Sequence, residues 1–186
     1  MVDLANNSSI NKTIKKLCLA AVLIAMGHVI GFFTFFMPGF PQKISLGFLV
    51  AGACGYLLGP YAAICGALGD VLGFISRSQG NYIWGFTVTA ALGHLIYGLF
   101  LHKKKASLLR CFFACLVVIS VVNLTLNTLC CVFWLNANKS FQAIFIGRLI
   151  ANAIFLVTHP PLMFAILKSL EQLQKRLPIL QFQTQD

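Results

Sequence analysis

The chain has 186 residues, of which 59% are hydrophobic and only 10% are charged, and its mean hydropathy is +0.85. A soluble domain carries about 25% charged residues, so a water-exposed fold of this length could not cover so much apolar surface. The composition therefore predicts an integral membrane protein and excludes a separate soluble catalytic domain.

The basic residues support the same class of protein. The 14 Lys and Arg residues outnumber four acids and give a net charge of +10, a balance that is also compatible with nucleic-acid binding. Here, however, the bases lie in short segments between apolar runs, which is the pattern that orients membrane helices. We expect the chain to contact the lipid bilayer and no nucleic acid.

Six apolar runs are candidates for membrane helices, although the second is short. A membrane-spanning helix needs about 20 apolar residues, and the six runs cover 15–37, 44–59, 60–76, 82–101, 106–134 and 141–168. Gly59 and Pro60 divide the second run from the third, since glycine often ends a helix and proline is favoured at the first position of the next. The pattern predicts an all-α, six-helix transmembrane bundle.

The Lys and Arg residues between the runs predict the orientation. If the N-terminus lies inside, ten of these residues fall in cytoplasmic segments and three in outer ones, as expected from their enrichment in cytoplasmic loops. Both termini are therefore expected in the cytoplasm. The predicted organisation is an N-terminal segment 1–14, a transmembrane domain 15–170 and a C-terminal tail 171–186.

Polar side chains recur at one depth in the outer half of the predicted bundle. With a rise of about 1.5 Å per residue, Asp70 lies roughly 9 Å and Arg148 roughly 10 Å below the outer surface. His28, Thr87 and Asn127 reach comparable depths on other helices. A charge in the middle of a membrane costs about 2.5–3.5 kcal/mol on insertion scales, so it usually faces a cavity or a partner.

Two interpretations of this polar layer remain open. The first is a polar ligand pocket that opens to the outer side. The second is an Asp70–Arg148 ion pair that only locks two helices together, with His28 and Asn127 as interhelical hydrogen-bond partners. Near the start of the fourth helix, Phe86 and Trp84 offer flat faces to an aromatic ligand, although Trp84 is equally typical of an interfacial aromatic belt.

The sequence lacks the usual signatures of membrane-embedded enzymes. An intramembrane aspartyl protease needs two carboxylates, whereas Asp70 is the only acid within a predicted span. Neither a His-Glu-x-x-His motif nor a Gly-x-Ser-x-Gly motif occurs. The seven cysteines fall mostly in apolar runs without metal-ligand spacing, so they are interpreted as buried hydrophobes. We expect no catalysis, no cofactor and no metal site.

Small residues four positions apart allow helices to approach closely. Most such pairs are expected to pack within the bundle. Ala21 and Ala25, however, lie in the cytoplasmic half of the first helix, where another protein could pack against them.

Several motifs in order resemble a known family. The segments KISLGFLVAGACGYLLGPYAAICGALGDVLGF (43–74), NYIWGFTVTAALGHLIYGLFL (81–101), NLTLNTL (123–129) and GRLI (147–150) are similar to the folate-type S component of energy-coupling factor (ECF) transporters. The resemblance covers about residues 15–170. It implies six helices around an outward-facing vitamin pocket, which is closed by the loop between the first two helices, in a prokaryotic plasma membrane.

The resemblance also implies partners and a substrate. A transmembrane coupling protein and two cytoplasmic ATPases would complete the importer, and Ala21 and Ala25 match the helix face that S components present to the coupling protein. Folate joins a pterin to an aminobenzoyl-glutamate with two carboxylates. Asp70 is suited to accept hydrogen bonds from the pterin, and Arg148 and Lys43 are suited to bind the carboxylates.

The candidate substrate-binding residues are therefore Asp70, Arg148, Lys43, Trp84, Phe86, Thr87, Asn127 and His28. Two alternatives remain. The chain could be an S component for another small vitamin, such as pantothenate, pyridoxine or a queuosine precursor. It could also be a membrane scaffold in which the Asp70–Arg148 pair is structural.

Overall fold

A computed structural model describes residues 2–36, 43–77, 82–134 and 141–176 of the chain. Most of these residues are helical, and two strands of three residues each are also present. The elements in chain order are α1 (Val2–Phe32), β1 (Thr34–Phe36), β2 (Lys43–Ser45), α2 (Gly47–Leu58), a 3-10 turn (Gly59–Tyr61), α3 (Ala62–Arg77), α4 (Trp84–Leu101), α5 (Leu108–Val117), a π-helical segment (Val118–Leu126), α6 (Asn127–Trp134) and α7 (Phe141–Arg176).

Five helical stretches in the described part of the chain are long and apolar enough to cross a membrane. The turn at Gly59–Tyr61 joins α2 and α3, so that these two count as one stretch. The five stretches are Thr13–Phe32, Gly47–Arg77, Trp84–Leu101, Leu108–Trp134 and Phe145–Arg176. The expected all-α architecture is thus present in its broad form, as a set of long apolar helices.

The structure differs from the sequence-based elements mainly at their ends. Helix α1 begins at Val2 instead of residue 15, and α7 continues to Arg176, where Glu171 and Lys175 form an i,i+4 ion pair of 3.9 Å. Hydropathy detects only the apolar part of such a helix, because polar turns outside the membrane carry no apolar signal. The strands β1 and β2 were not expected; they pair antiparallel, with Phe35 opposite Ile44.

Glycines allow α2 and α3 to pack closely on α4. A Cβ atom at Gly55 would lie 2.7 Å from the backbone of Tyr97 and Gly98, and one at Gly66 would lie 2.5 Å from the ring of His94. Gly59 adopts a φ of 62° at the corner between the two helices, a conformation that a residue with a Cβ rarely adopts. The corner lets both helices contact α4.

The two ends of the bundle differ in character. One end carries the β1–β2 hairpin, and Arg77 donates from the last turn of α3 to the carbonyl of Gly31 near the end of α1; we call this the hairpin end. The other end carries the turn at Gly59, the exposed Lys103–Lys105 segment and the last turns of α7, and we call it the basic end.

All seven cysteines are free, and six are buried or half-buried.

Candidate functional site

A cavity of about 740 Å³ lies between the helices. It falls within the range of about 300–1,000 Å³ that is usual for small-molecule sites. Helices α1, α2, α3, α4 and α7, together with the π segment and α6, contribute to its wall. Five of the predicted site residues line this cavity, namely His28, Asp70, Phe86, Asn127 and Arg148.

Asp70 enters the cavity wall from the middle of α3 and is held by one neighbour. Thr87 on α4 donates a hydrogen bond of 2.6 Å from its Oγ1 to Asp70 Oδ2. The hydroxyls of Tyr82 and Thr87 are also hydrogen-bonded to each other. A short chain of hydrogen bonds thus connects Tyr82 through Thr87 to the carboxylate. No other hydrogen bond reaches Asp70 from the described residues, which leaves its second oxygen available to a ligand.

Arg148 lies on α7 and is only 8% exposed. Its Nη1 donates to the carbonyl of Asn123 at 3.3 Å, and its Nη2 contacts the Sγ of Cys131 at 3.0 Å. The Nε atom is buried without a hydrogen-bond partner. The guanidinium is therefore positioned by neutral groups, while its charge is not compensated by any described acid.

Three asparagines extend the polar surroundings of Arg148. Asn127 donates to Asn123 at 3.4 Å, Asn123 donates to Asn152 at 3.4 Å, and Asn152 donates to the carbonyl of Arg148 at 2.8 Å. The π-helical hydrogen bonding of Val118–Leu126 precedes Asn127, and π-helical turns are often found at functional sites.

Some buried polar atoms in the cavity wall form no hydrogen bond within the described part of the protein. The Nδ1 of His28 and the Oδ1 of Asn127 are buried without partners, and both residues line the cavity. Most buried polar atoms in native proteins are hydrogen-bonded, and leaving one unpaired costs about 1–3 kcal/mol. Together with the Nε of Arg148, these atoms form a wall suited to a polar ligand.

The predicted alternative of an Asp70–Arg148 ion pair is wrong. Both side chains are described, and their hydrogen bonds go to Thr87 and to Asn123 and Cys131 instead of to each other. Similar depth brings two residues into one layer, but an ion pair also requires that both helices turn these side chains toward one another. The scaffold interpretation thus loses the contact on which it was based.

Four of the remaining predicted residues are not part of the cavity wall, namely Thr87, Trp84, Ala21 and Ala25. Thr87 is buried behind Asp70, which it orients, and Trp84 is 74% exposed with its ring 5.1 Å from that of Tyr82. Lys43 belongs to β2, where its backbone is opposite Phe36; its side chain is outside the described part of the structure. Ala21 and Ala25 are both exposed on α1.

Arg77, one of the three basic residues expected in outer segments, was not expected in the cavity wall. Arg77 lines the cavity from the last turn of α3 and is exposed. A usable signal was present: Arg77 follows Asp70 by seven residues, so both lie on the same face of one helix. Asn123 and Asn152, each four residues from a predicted site residue, were missed in the same way.

An aromatic stack forms another part of the cavity wall. The imidazole of His159 lies between two rings, with centroid distances of 3.6 Å to Phe48 and 4.8 Å to Phe155 and interplanar angles of 10° in both cases. All three residues line the cavity. The stack adds a flat apolar surface to a wall that is otherwise rich in polar groups.

Comparison with known proteins identifies the family. Residues 15–172 match the sequence model described as "ECF transporter, substrate-specific component". The chain belongs to this family of ECF transporter S components. It is accordingly a multi-pass protein of the plasma membrane.

This S component is similar to individual proteins named as folate transporters. It is 35% identical over 135 residues to the folate transporter FolT of Clostridium novyi, which covers 71% of this chain and 76% of the relative. It is also 35% identical over 96 residues to FolT of Streptococcus mutans, which covers half of each protein. A crystal structure of FolT bound with folic acid matches with a TM-score of 0.75 and 30% identity, and the match covers 83% of this chain and 93% of that one.

Proposed function

We propose that this S component binds folate from the outer side of the membrane and delivers it to the cytoplasm together with a transmembrane coupling protein and two cytoplasmic ATPases. The observation that carries this proposal is the cavity, in which Asp70, Arg77 and Arg148 form no ion pairs with one another or with other described residues. A separated carboxylate and two guanidinium groups complement a ligand that has a hydrogen-bond donor edge and anionic groups. The likeness to FolT proteins supports folate as that ligand.

Each end of folate has a proposed partner. Asp70, with one oxygen held by Thr87, accepts hydrogen bonds from the N–H and amino groups of the pterin. Arg148 binds a carboxylate, which compensates a guanidinium that no described acid neutralises; charge-assisted hydrogen bonds of this kind are short and strong. Lys43 remains a proposed second partner for the carboxylates, while Phe86, Asn127 and His28 supply the wall between the two ends.

The proposed topology has six membrane segments, with α2 and α3 counted separately, and places both termini in the cytoplasm. The exposed bases Lys103, Lys104, Lys105 and Arg110 at the basic end support this orientation, since Lys and Arg are enriched on the cytoplasmic side. The hairpin end then faces outward. Ala21 and Ala25, exposed on α1, contact the coupling protein in this proposal.

The first experiment measures the thermal stability of the purified protein with a panel of folate, pantothenate, pyridoxine and a queuosine precursor. A ligand that binds only the folded protein stabilises it in proportion to the logarithm of its concentration over Kd, by about 2.7 kcal/mol at a hundredfold excess over Kd. We expect stabilisation by folate alone. A shift with another vitamin would identify a different substrate, and no shift in folded protein would support the scaffold.

A second experiment tests the site assignment with two substitutions. Asp70→Asn places an amide N–H₂ against the donors of the pterin, and Arg148→Gln removes the buried cation. Because hydrogen bonds to charged groups contribute about 1.5–3 kcal/mol, each variant should bind folate roughly ten- to a hundredfold more weakly in titration calorimetry. Arg110→Gln is the matched control, since Arg110 lies at the basic end and donates to the carbonyl of Lys105. Wild-type affinity in both site variants would contradict the assignment.

A further inference from the structure

Arg77 is a second cation in the cavity wall, besides Arg148. It stands in the last turn of α3, it is exposed, and it lines the same cavity as Asp70 and Arg148. Unlike the deeply buried Arg148, it is accessible from the hairpin end. The cavity therefore contains one cation in its interior and a second one where it approaches the surface.

The guanidinium of Arg77 is held in place by backbone carbonyls of two helices. Its Nε donates to the carbonyl of Gly73 at 3.0 Å, and its Nη1 donates to the carbonyl of Gly31 at 3.1 Å. Neutral acceptors orient the group but leave its charge uncompensated, and no described acid forms an ion pair with it. Its Nη2 donates no hydrogen bond to any described residue.

Two glycines provide the space for this arrangement. A Cβ atom at Gly73 would lie 2.6 Å from Nη2 of Arg77, and one at Gly31 would lie 3.6 Å from it. A side chain at position 73 would thus displace the guanidinium from its position beside the cavity. The geometry at the end of α3 depends on the absence of a side chain at this position.

Asp70 and Arg77 are seven residues apart on one face of α3, which corresponds to a separation of about 10 Å along the helix axis. Asp70 accepts no hydrogen bond from Arg77 and instead accepts one from Thr87. If the two groups were an ion pair, neither would be available to a ligand. Their separation leaves a carboxylate and a guanidinium along one wall for two different parts of a long ligand.

We infer that Arg77 binds the second, γ-carboxylate of the substrate and thereby selects dicarboxylate ligands. The inference rests on the proposed function, in which Arg148 binds the other carboxylate, and it assigns to Arg77 the second carboxylate, for which Lys43 was the candidate there. An arginine oriented in advance by two hydrogen bonds retains Nη2 for a carboxylate oxygen, and its planar guanidinium suits such an acceptor better than an ammonium group. Because the group is exposed, we expect a smaller contribution than that of Arg148 and a clear dependence on salt concentration.

The experiment compares folate with its γ-amide, which is identical except that the γ-carboxylate is neutral. Wild-type protein should bind folate about five- to tenfold more tightly than the γ-amide, between the values for exposed and buried charged hydrogen bonds. Arg77→Gln should lose this preference by binding folate more weakly while binding the γ-amide with unchanged affinity. Arg110→Gln removes the same charge at the basic end and should leave both affinities unchanged.

A second variant keeps the arginine and its charge but moves the guanidinium. Gly73→Ala introduces a Cβ atom 2.6 Å from Nη2 at a residue that does not itself line the cavity, and it should reduce the preference for folate over the γ-amide. This variant decides the question if Arg77→Gln proves unstable. Thermal unfolding of each variant without ligand verifies that the protein is folded.

The possible outcomes separate this inference from the proposed function. Equal losses for both ligands in Arg77→Gln would mean that Arg77 only ties α1 to α3, and the inference would be wrong while folate binding stood. Equal binding of both ligands by wild-type protein, or unchanged binding in both Arg77 and Gly73 variants, would also overturn it. Wild-type protein that binds neither ligand would refute the proposed function, and this inference with it.

Discussion

At the scale of single residues, the cavity is organised by how each charged group is held. Asp70 is held by the hydroxyl of Thr87, and Arg148 is held by a carbonyl and a thiol. Neutral partners fix the direction of a charged group without compensating its charge. In an ion pair between buried groups, each charge would be compensated within the protein. In the observed arrangement both charges remain available to a ligand.

Thr87→Val tests whether this hydroxyl orients the carboxylate. The variant removes the donor of the 2.6 Å hydrogen bond and keeps a side chain of similar volume, although valine is not a perfect substitute for the hydroxyl. Folate affinity should fall about three- to tenfold, less than in Asp70→Asn, because Thr87 orients the carboxylate and the loss is that of an ordinary hydrogen bond of about 0.5–1.5 kcal/mol. Thr87→Ser retains the hydroxyl and should bind nearly as tightly as wild-type protein.

The double variant Thr87→Val, Asp70→Asn tests whether Thr87 affects folate affinity through Asp70. If Thr87 acts through Asp70, the loss from Thr87→Val should be much smaller when the carboxylate is already absent, because the two residues are coupled. Additive losses in calorimetric titrations would mean that Thr87 affects binding by another route.

At the scale of elements, glycines serve two different purposes in α2 and α3. Gly55 lies against the backbone of α4, so its lack of a side chain is needed for helix packing, as in other closely packed membrane helices. Gly69 lines the cavity, and a Cβ atom there would meet nothing within 4 Å. The sequence contains both residues in similar small-residue motifs, but only their surroundings distinguish packing from cavity volume.

Gly55→Ala and Gly69→Ala form a matched pair of substitutions. The first puts a methyl group 2.7 Å from the backbone of Gly98 and should destabilise the protein by about 1–3 kcal/mol, as overpacking typically does. The second meets no neighbouring atom in the middle of α3 and should stabilise the ligand-free protein by about 0.4–1 kcal/mol, because alanine lowers the conformational entropy of the unfolded chain. Equal destabilisation in thermal scans would contradict the distinction.

At the scale of the whole molecule, the side of α1 that faces away from the bundle is available to a partner. Ala21 and Ala25 are exposed, whereas Leu23 on the opposite face is 6% exposed and belongs to the core. Small side chains on a lipid-facing helix allow another helix to approach closely. This surface is separate from the cavity wall, so partner contact and ligand binding can be altered independently.

Replacing Ala21 and Ala25 with Leu should therefore abolish folate uptake in cells that contain the full transporter and leave the affinity of the purified subunit close to the wild-type value. The bulky side chains would keep the coupling protein from approaching α1. The matched control is Leu at Ala153 and Ala165, which are exposed on α7, and this variant should transport normally. Loss of folate binding by the α1 variant would mean that these alanines support the fold of the subunit instead.

The membrane class could be predicted from the residues alone, as could the approximate spans and the members of the polar layer. Each of these follows from local properties, since apolar length, basic flanking residues and depth along a helix are set by neighbours in the chain. His28, Asp70, Asn127 and Arg148 could be grouped in this way before their contacts were known, and they line one cavity.

The contacts that those residues make depend on how the helices pack against one another. The rotation of each helix about its axis placed Thr87 behind Asp70 instead of in the cavity wall, separated Asp70 from Arg148, and brought Arg77 beside the cavity from a position expected to be a loop. These contacts join residues that are far apart in the chain, and a few tens of degrees of helix rotation exchange one neighbour for another. Depth can be read from residue spacing, whereas rotation depends on the packing of all the helices together.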